Sequence, residues 1–259
     1  TQEELDRGIV CASSGNHAQG VACAAHRLGA RAVIVMPTNA NPVKLAGVKA
    51  FGGQVELVGT LGSQREERAA QLVEQEGMVN VHPYADPYVA AGQGTIGLEI
   101  IEDQPALDAV AVPIGGGGLI SGVATAVKGL APQVKTIGVE PAGADRYARS
   151  RAAGQPVTLD KVDTIADGTR TDHATLFNFE MIQDKVDELC TADDDHIRQA
   201  MVLLMTKAKL MVEPSGALPV AAALAGRLPV EKGQKVAFVL SGGNVDPALA
   251  AQLLADVQA

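Results

Sequence analysis

The sequence predicts an α/β protein with two open, mostly parallel sheets flanked by helices. Two observations carry this expectation. Short apolar, β-rich runs alternate with longer Ala-rich segments of helical pattern. The runs are mostly apolar, as strands covered on both faces are. A third observation is positional: three glycine-containing turns each follow such a run and precede a helical pattern. That order puts each turn at the carboxyl end of a parallel strand, where open α/β sheets bind ligands.

Taken in order, Thr1 and Glu4 match a capping box that starts a short helix stopped by Gly8. Strands are predicted over residues 8–12, 32–36, 55–58, 78–81, 109–113, 136–140 and 236–240. Helices are predicted over 19–28, 66–76, 119–130 and 197–207. Pro83, Asp86 and Pro87 interrupt the pattern before a helix that begins around Tyr88. The expected division is therefore a small α/β domain, 1–86, and a larger one, 87–259, with the ligand cleft between them.

Composition narrows the function. The chain has 259 residues, 47% apolar and 20% charged, an ordinary globular balance. Trp is absent and aromatics are 3%, so Ala, Val, Leu and Ile must fill the core. A formal net charge of −9 disfavours nucleic acid and anionic membranes as partners. An anionic small molecule then needs a local pocket of backbone N–H groups. Cys11, Cys23 and Cys190 form no C-x-x-C pair, so no disulfide framework or zinc site is expected, and a reducing cytoplasm fits. No apolar run reaches membrane length.

The first turn, Ser13-Ser14-Gly15-Asn16-His17, offers backbone N–H groups and hydroxyls at a helix start. It can hold a carboxylate, or it can be a plain N-cap. The second places four glycines, Gly115, Gly116, Gly117 and Gly118, before Leu119. Such a run costs backbone entropy and makes sense where backbone meets a phosphate closely. The third, Ser241-Gly242-Gly243-Asn244, ends a run expected to be buried.

In that order the three turns resemble the fold-type-II pyridoxal-phosphate (PLP) enzymes, the tryptophan-synthase-β-like fold. Further stretches agree with threonine/serine dehydratases and serine racemases: Gly92-Gln93-Gly94-Thr95-Ile96-Gly97, Thr164-Ile165-Ala166-Asp167-Gly168 and Glu213-Pro214-Ser215-Gly216. The resemblance implies that Gly115, Gly116, Gly117, Gly118 and Leu119 bind the PLP phosphate, with Asn16, Glu213 and Ser241 also at the cofactor. Ser13, Ser14, Gly15, Asn16, His17 and Gly168 would surround the substrate, with His17 acting mainly through its backbone. The implied reaction is α,β-elimination from L-threonine or L-serine to a 2-oxo acid and ammonia. Serine racemase is the alternative, because Ser14 matches the racemase acid/base on the face opposite the lysine.

In the family the Schiff-base lysine lies upstream of the first turn, in a segment like S-F-K-x-R-G. None of the ten lysines here lies in such a segment. The chain is therefore expected to lack that N-terminal piece and to be inactive alone, to receive the piece from another chain, or else to be a non-catalytic PLP-binding relative. Racemase relatives bind a divalent cation through an acidic residue, a carbonyl and an aspartate. Glu140 and Ala144 match, but Arg146 stands at the aspartate position, with Asp145 the only substitute, so no metal is expected. Relatives assemble as dimers or tetramers, so a homo-oligomer is expected.

Asp193, Asp194 and Asp195 read as acidic residues complementing a helix dipole. His173 and His196 read as surface residues, and His82 as a residue that could line the cleft. A dinucleotide-binding reading of residues 110–140 fails because G-x-G-x-x-G is not matched and the other two turns go unexplained.

Overall fold

The structure is a computed structural model that describes residues 1–256; residues 257–259, the end of the larger predicted domain, lie outside the described residues. The chain forms two compact units, Thr1–Asp86 and Pro87–Ala259.

In the first unit, β1 (Ile9–Ala12), β2 (Ala32–Met36), β3 (Gln54–Leu57) and β4 (Val79–Asn80) form a parallel sheet in the order β3-β2-β1-β4. The helices are α1 (Gln2–Arg7), α2 (Asn16–Leu28), α3 (Pro42–Ala50) and α4 (Gly62–Glu76). The Thr1–Glu4 capping box is formed. Successive side chains of β2 feed opposite cores. Ala32, Ile34 and Met36 pack with Cys11, Val48 and the α2 residues Ala18, Val21, Ala22 and Ala25. Val33 and Val35 pack with Val10, Ala69, Leu72 and Met78. Both faces are covered, which is why the run is apolar without alternation.

The second unit holds α5 (Pro87–Asp103), β5 (Ala109–Pro113), α6 (Gly118–Leu130), β6 (Lys135–Pro141), α7 (Arg146–Ala153) and α8 (Leu176–Lys185). It continues with β7 (Glu188–Ala192), α9 (Asp194–Leu203), α10 (Pro214–Leu224), β8 (Val236–Phe238) and α11 (Pro247–Asp256). Its parallel sheet runs β7-β6-β5-β8. Ala109, Ala111, Ile137 and Val139 face α9, α10 and α11. Val110 and Val112 face α6 and α8.

Three expectations are corrected at the edges of the sheets. Strand β7 is absent from the sequence reading, because Glu188-Leu189-Cys190-Thr191-Ala192 is mostly half-buried and lacks an apolar run. The predicted strands at 55–58 and 236–240 are only partly buried: β3 has no fully buried residue, and β8 ends at Phe238, which is 37% exposed, although Val239 beyond it is buried. Each of these two pairs with one neighbour among the described residues. The predicted helix at 197–207 starts earlier, with Asp193 as N-cap, and its last turn is π-helical over Leu204–Ala208.

The Gly92–Gly97 stretch lies within α5 and serves packing rather than a loop. A Cβ at Gly97 would stand 2.7 Å from the Val123 carbonyl of α6, and one at Gly94 would stand 3.2 Å from the Gly122 carbonyl. A Cβ at Gly122 would collide with the Ala90 carbonyl. Gly122→Ala is expected to destabilise the protein by roughly 1–3 kcal/mol or more through this overpacking. Gly129→Ala, on the same helix, meets nothing within 4 Å. It is expected to be neutral or stabilising by up to about 1 kcal/mol. Urea-unfolding midpoints of the two variants check the contrast.

Candidate active site

Strand β5 ends at Pro113, and the Ile114 N–H extends its pairing to the Val139 carbonyl at 2.8 Å. Three residues then lead to the N-cap of α6, Gly117, with φ of 98°. That angle favours glycine. Space demands it too: a Cβ at Gly117 would lie 2.7 Å from the Tyr147 hydroxyl and 2.8 Å from Asn178 Cβ, and one at Gly115 would lie 2.9 Å from the Gly168 carbonyl. No side chain caps α6. Its first N–H groups have no intrahelical acceptor, and the helix dipole adds partial positive charge. The loop is a backbone cradle for an anion.

The cradle is held from behind. The Tyr147 hydroxyl donates to the Gly116 carbonyl at 2.6 Å, and Arg146 Nη1 donates to the Gly115 carbonyl at 2.9 Å. Asn178 Nδ2 donates to Ser121 Oγ at 3.2 Å. Glu140 accepts from the Tyr147 and Ala148 N–H groups at 3.0 and 2.8 Å, fixing the start of α7. Burial pushes the Glu140 carboxyl up to about 7, against the pull of Arg146 and those two N–H groups. Where a cation site was weighed on the sequence, the Arg146 guanidinium itself lies between the Ala144 carbonyl, at 2.8 Å, and Glu140, at 3.8 Å. Asp145 pairs instead with Arg149 at 2.8 Å.

A chain of contacts runs on from the cradle. The Gly168 N–H donates to Ser215 Oγ at 2.9 Å. The loop carrying Gly168 is anchored by Asp194, which accepts from Thr164 Oγ1 at 2.7 Å and the Ile165 N–H at 3.0 Å. Glu213, 1% exposed, is the N-cap of α10, and its N–H donates to the Gly242 carbonyl at 2.9 Å. Cβ atoms at Gly216 and Gly243 would stand 3.1 Å from Gly242 N and 2.9 Å from the Met211 carbonyl. Residues 211–216 thus brace the third turn, whose Ser241 is exposed after β8. Gly115, Gly168, Glu213 and the Ser241 turn belong to one network. A surface groove of about 380 Å³ between α9 and α11, lined by Arg198, Val202, Thr206, Lys207, Leu253 and Asp256, includes none of these residues.

In the first unit, Ser13-Ser14-Gly15-Asn16-His17 follows β1, and the Ser13 N–H donates to the Val35 carbonyl at 3.1 Å. The N-cap of α2 is Gly15, without a side-chain cap bond. Ser13 Oγ accepts from the Gly15 N–H at 3.4 Å, while Ser14 and Asn16 are exposed. The plain N-cap reading of the two serines is therefore not what the fold uses. The His17 ring contacts the Val81 carbonyl at 2.9 Å through Nε2. His82 turns to its own loop, where Nδ1 accepts from the Ala85 N–H at 2.8 Å. Lys44 of α3, 2% exposed, brings Nζ within 3.6 Å of where a Gly15 Cβ would be. Sequence reasoning gave Lys44, Tyr147, Asn178 and Ser215 no role in the site. A lysine between the apolar Val43 and Leu45 in a helical pattern was the one available signal for Lys44.

A glycine loop of this kind at the carboxyl end of a buried parallel strand is the arrangement of α/β proteins that can hold the phosphate of a small molecule. Residues 1–242 match the pyridoxal-phosphate dependent enzymes, and the chain belongs to that family. An L-threonine ammonia-lyase of Thermotoga maritima is 45% identical over 246 residues, covering 95% of this chain and 61% of that protein. A serine racemase of Oryza sativa subsp. indica is 41% identical over 248 residues, covering 94% and 73%. The solved maize serine racemase superposes with a TM-score of 0.93 at 39% identity, covering 100% of this chain and 79% of that one. The fold is fold type II, the cofactor is PLP, and the chain spans about three fifths of the length of the threonine ammonia-lyase. No described helix is long and apolar enough to cross a membrane.

Burial lowers the His17 pKa from 6.5, against the raising effects of the Val81 carbonyl and Asp86. The unfolded chain therefore takes up this proton first as pH falls. The stability the neutral ring contributes is complete above pH 6.5 and declines below it. An NMR titration of the imidazole is expected to give a midpoint below 6.5; a midpoint at or above that value contradicts the buried placement.

Proposed function

We propose that the protein is a PLP-dependent ammonia-lyase that converts L-threonine or L-serine to a 2-oxo acid and ammonia. The observation that carries this is the cradle at Gly115, Gly116, Gly117 and Gly118, where any Cβ at Gly115 or Gly117 would overlap neighbouring atoms. Bare backbone is what a phosphate group needs here, and the network reaching Glu213 and the Ser241 turn fits the rest of the cofactor. PLP, when bound, withdraws electrons from the α-carbon of an amino acid.

The chain's own residues divide the remaining work. The N–H groups from Gly115 through Leu119 hold the phosphate. Ser241 would offer the cofactor's ring nitrogen a hydroxyl, a weaker proton source than a carboxylic acid, so the electron withdrawal the cofactor would supply there suits loss of a β-hydroxyl better than transamination. Glu213 steadies the backbone beside that turn. Ser13, Ser14, Gly15, Asn16 and His17 bind the substrate carboxylate mostly through N–H groups, with Asn16 also toward the cofactor, and Gly168 lines the substrate side. A small amino acid as substrate, a cytoplasmic setting and a homo-oligomer belong to the same reading. Light scattering that finds only monomer counts against the last.

Serine racemase is the second reading, and Ser14 favours it. Its side chain is exposed and does not cap α2, so the hydroxyl is available to carry a proton.

Titrating the chain with PLP is expected to give saturable binding, with NAD giving none. Gly117→Ala is expected to weaken PLP binding at least tenfold, since its methyl meets Tyr147 and Asn178. Saturable NAD binding without PLP binding would overturn the proposal. Borohydride reduction followed by mass spectrometry maps any lysine that joins the cofactor. For the holoenzyme fed L-serine, pyruvate is expected to exceed D-serine. Ser14→Ala is expected to cut D-serine formation at least tenfold and pyruvate formation far less. D-serine as the main product would favour the racemase.

A further inference from the structure

We propose that Arg146 is the positioning residue of the phosphate cradle: its guanidinium, with the neighbouring Tyr147 hydroxyl, sets which way the peptide N–H groups of the glycine loop point. The inference rests on the reading that this loop holds a phosphate.

Arg146 is 0% exposed, and a buried cation is costly unless oxygens surround it. Here they do. Nη1 donates to the carbonyls of Gly115 at 2.9 Å and Thr169 at 3.2 Å, and to the Thr171 hydroxyl. Nη2 donates to the carbonyls of Ala144 at 2.8 Å and Thr169 at 3.0 Å, with Glu140 Oε1 at 3.8 Å. One side chain therefore ties the end of β5, the turn after β6 and the loop that follows Gly168. A planar fork of five donors suits several fixed acceptors; a lysine ammonium carries three donors on a flexible stem.

The consequence lies in peptide geometry. The described residues contain no cis peptide bond, and in a trans peptide the C=O and N–H point in opposite directions. Arg146 draws the Gly115 carbonyl toward itself, which turns the Gly116 N–H away from the guanidinium. Tyr147 draws the Gly116 carbonyl at 2.6 Å, which turns the Gly117 N–H away from the phenol. Two consecutive residues of α7 thus fix two consecutive peptide planes of the cradle. Glycine leaves these planes free to rotate, so without the two anchors the N–H groups lose their common aim. The guanidinium also places a positive charge behind the loop, in surroundings that screen it poorly.

The test compares PLP with pyridoxal, which lacks the phosphate, by equilibrium binding to the full chain. Wild type is expected to prefer PLP. Arg146→Met, which keeps bulk and removes the charge, is expected to lose PLP affinity at least tenfold while pyridoxal affinity stays within about twofold. Arg146→Lys is expected to fall between. Tyr147→Phe keeps the ring and the fold, and is expected to lose severalfold for PLP alone. Equal PLP affinity in Arg146→Met and wild type overturns the inference, and so does a proportional loss for both ligands. If Arg146→Met does not fold, Tyr147→Phe decides: unchanged PLP preference sinks the proposal. A wild type that binds PLP no better than pyridoxal instead removes the functional reading beneath it.

Discussion

The larger unit is organised around one constraint: the carbonyls of the glycine loop after β5 must find donors within the fold. A buried carbonyl left without a donor costs free energy. That requirement accounts for the Tyr147 hydroxyl on Gly116 and the Arg146 guanidinium on Gly115, while Glu140 holds those two residues in place by accepting from the first N–H groups of α7. It also accounts for the bare α-carbon of Gly117, because the Tyr147 hydroxyl approaches so closely that no side chain fits between; at Gly115 the Gly168 carbonyl leaves as little room. In a chain with a net charge of −9, gathering donors in this way supplies positive potential where the overall charge does not.

Much of this was legible in the sequence, for physical reasons. Strands covered on both faces, such as β2 and β5, appear as unbroken apolar runs. Glycine strings are costly except where backbone must meet something closely, so Gly115, Gly116 and Gly117 announced themselves. The edge strand β7 did not, since it buries little and carries polar residues in the run. The supporting side chains were also hidden. Tyr147 lies 31 residues from Gly116, Ser215 lies 47 from Gly168, and Asn178 lies 57 from Ser121. Nothing in their local sequence marks such partners. Arg146 drew notice only as a residue at odds with a cation site, and the structure gives that oddity a positive content.

The family motif at residues 92–97 illustrates a different lesson. Gly94 and Gly97 lie in the middle of α5, facing α6, while Gly92 is exposed. A recurrent motif can thus preserve the distance between two helices rather than a contact with ligand. Since α6 begins at the cradle, that distance also fixes where the helix places its first turn.

Cys11 lies on β1, two residues before Ser13, with its thiol fully buried and pushed up to about 12. At any ordinary pH it stays protonated, and only a thiolate attacks electrophiles or reacts readily with peroxide. The strand that leads into the turn at residues 13–17 therefore carries sulfur without its usual vulnerability. Alkylating reagents and oxidants will pass it by while the native packing persists, and its modification becomes a chemical sign that the smaller unit has opened.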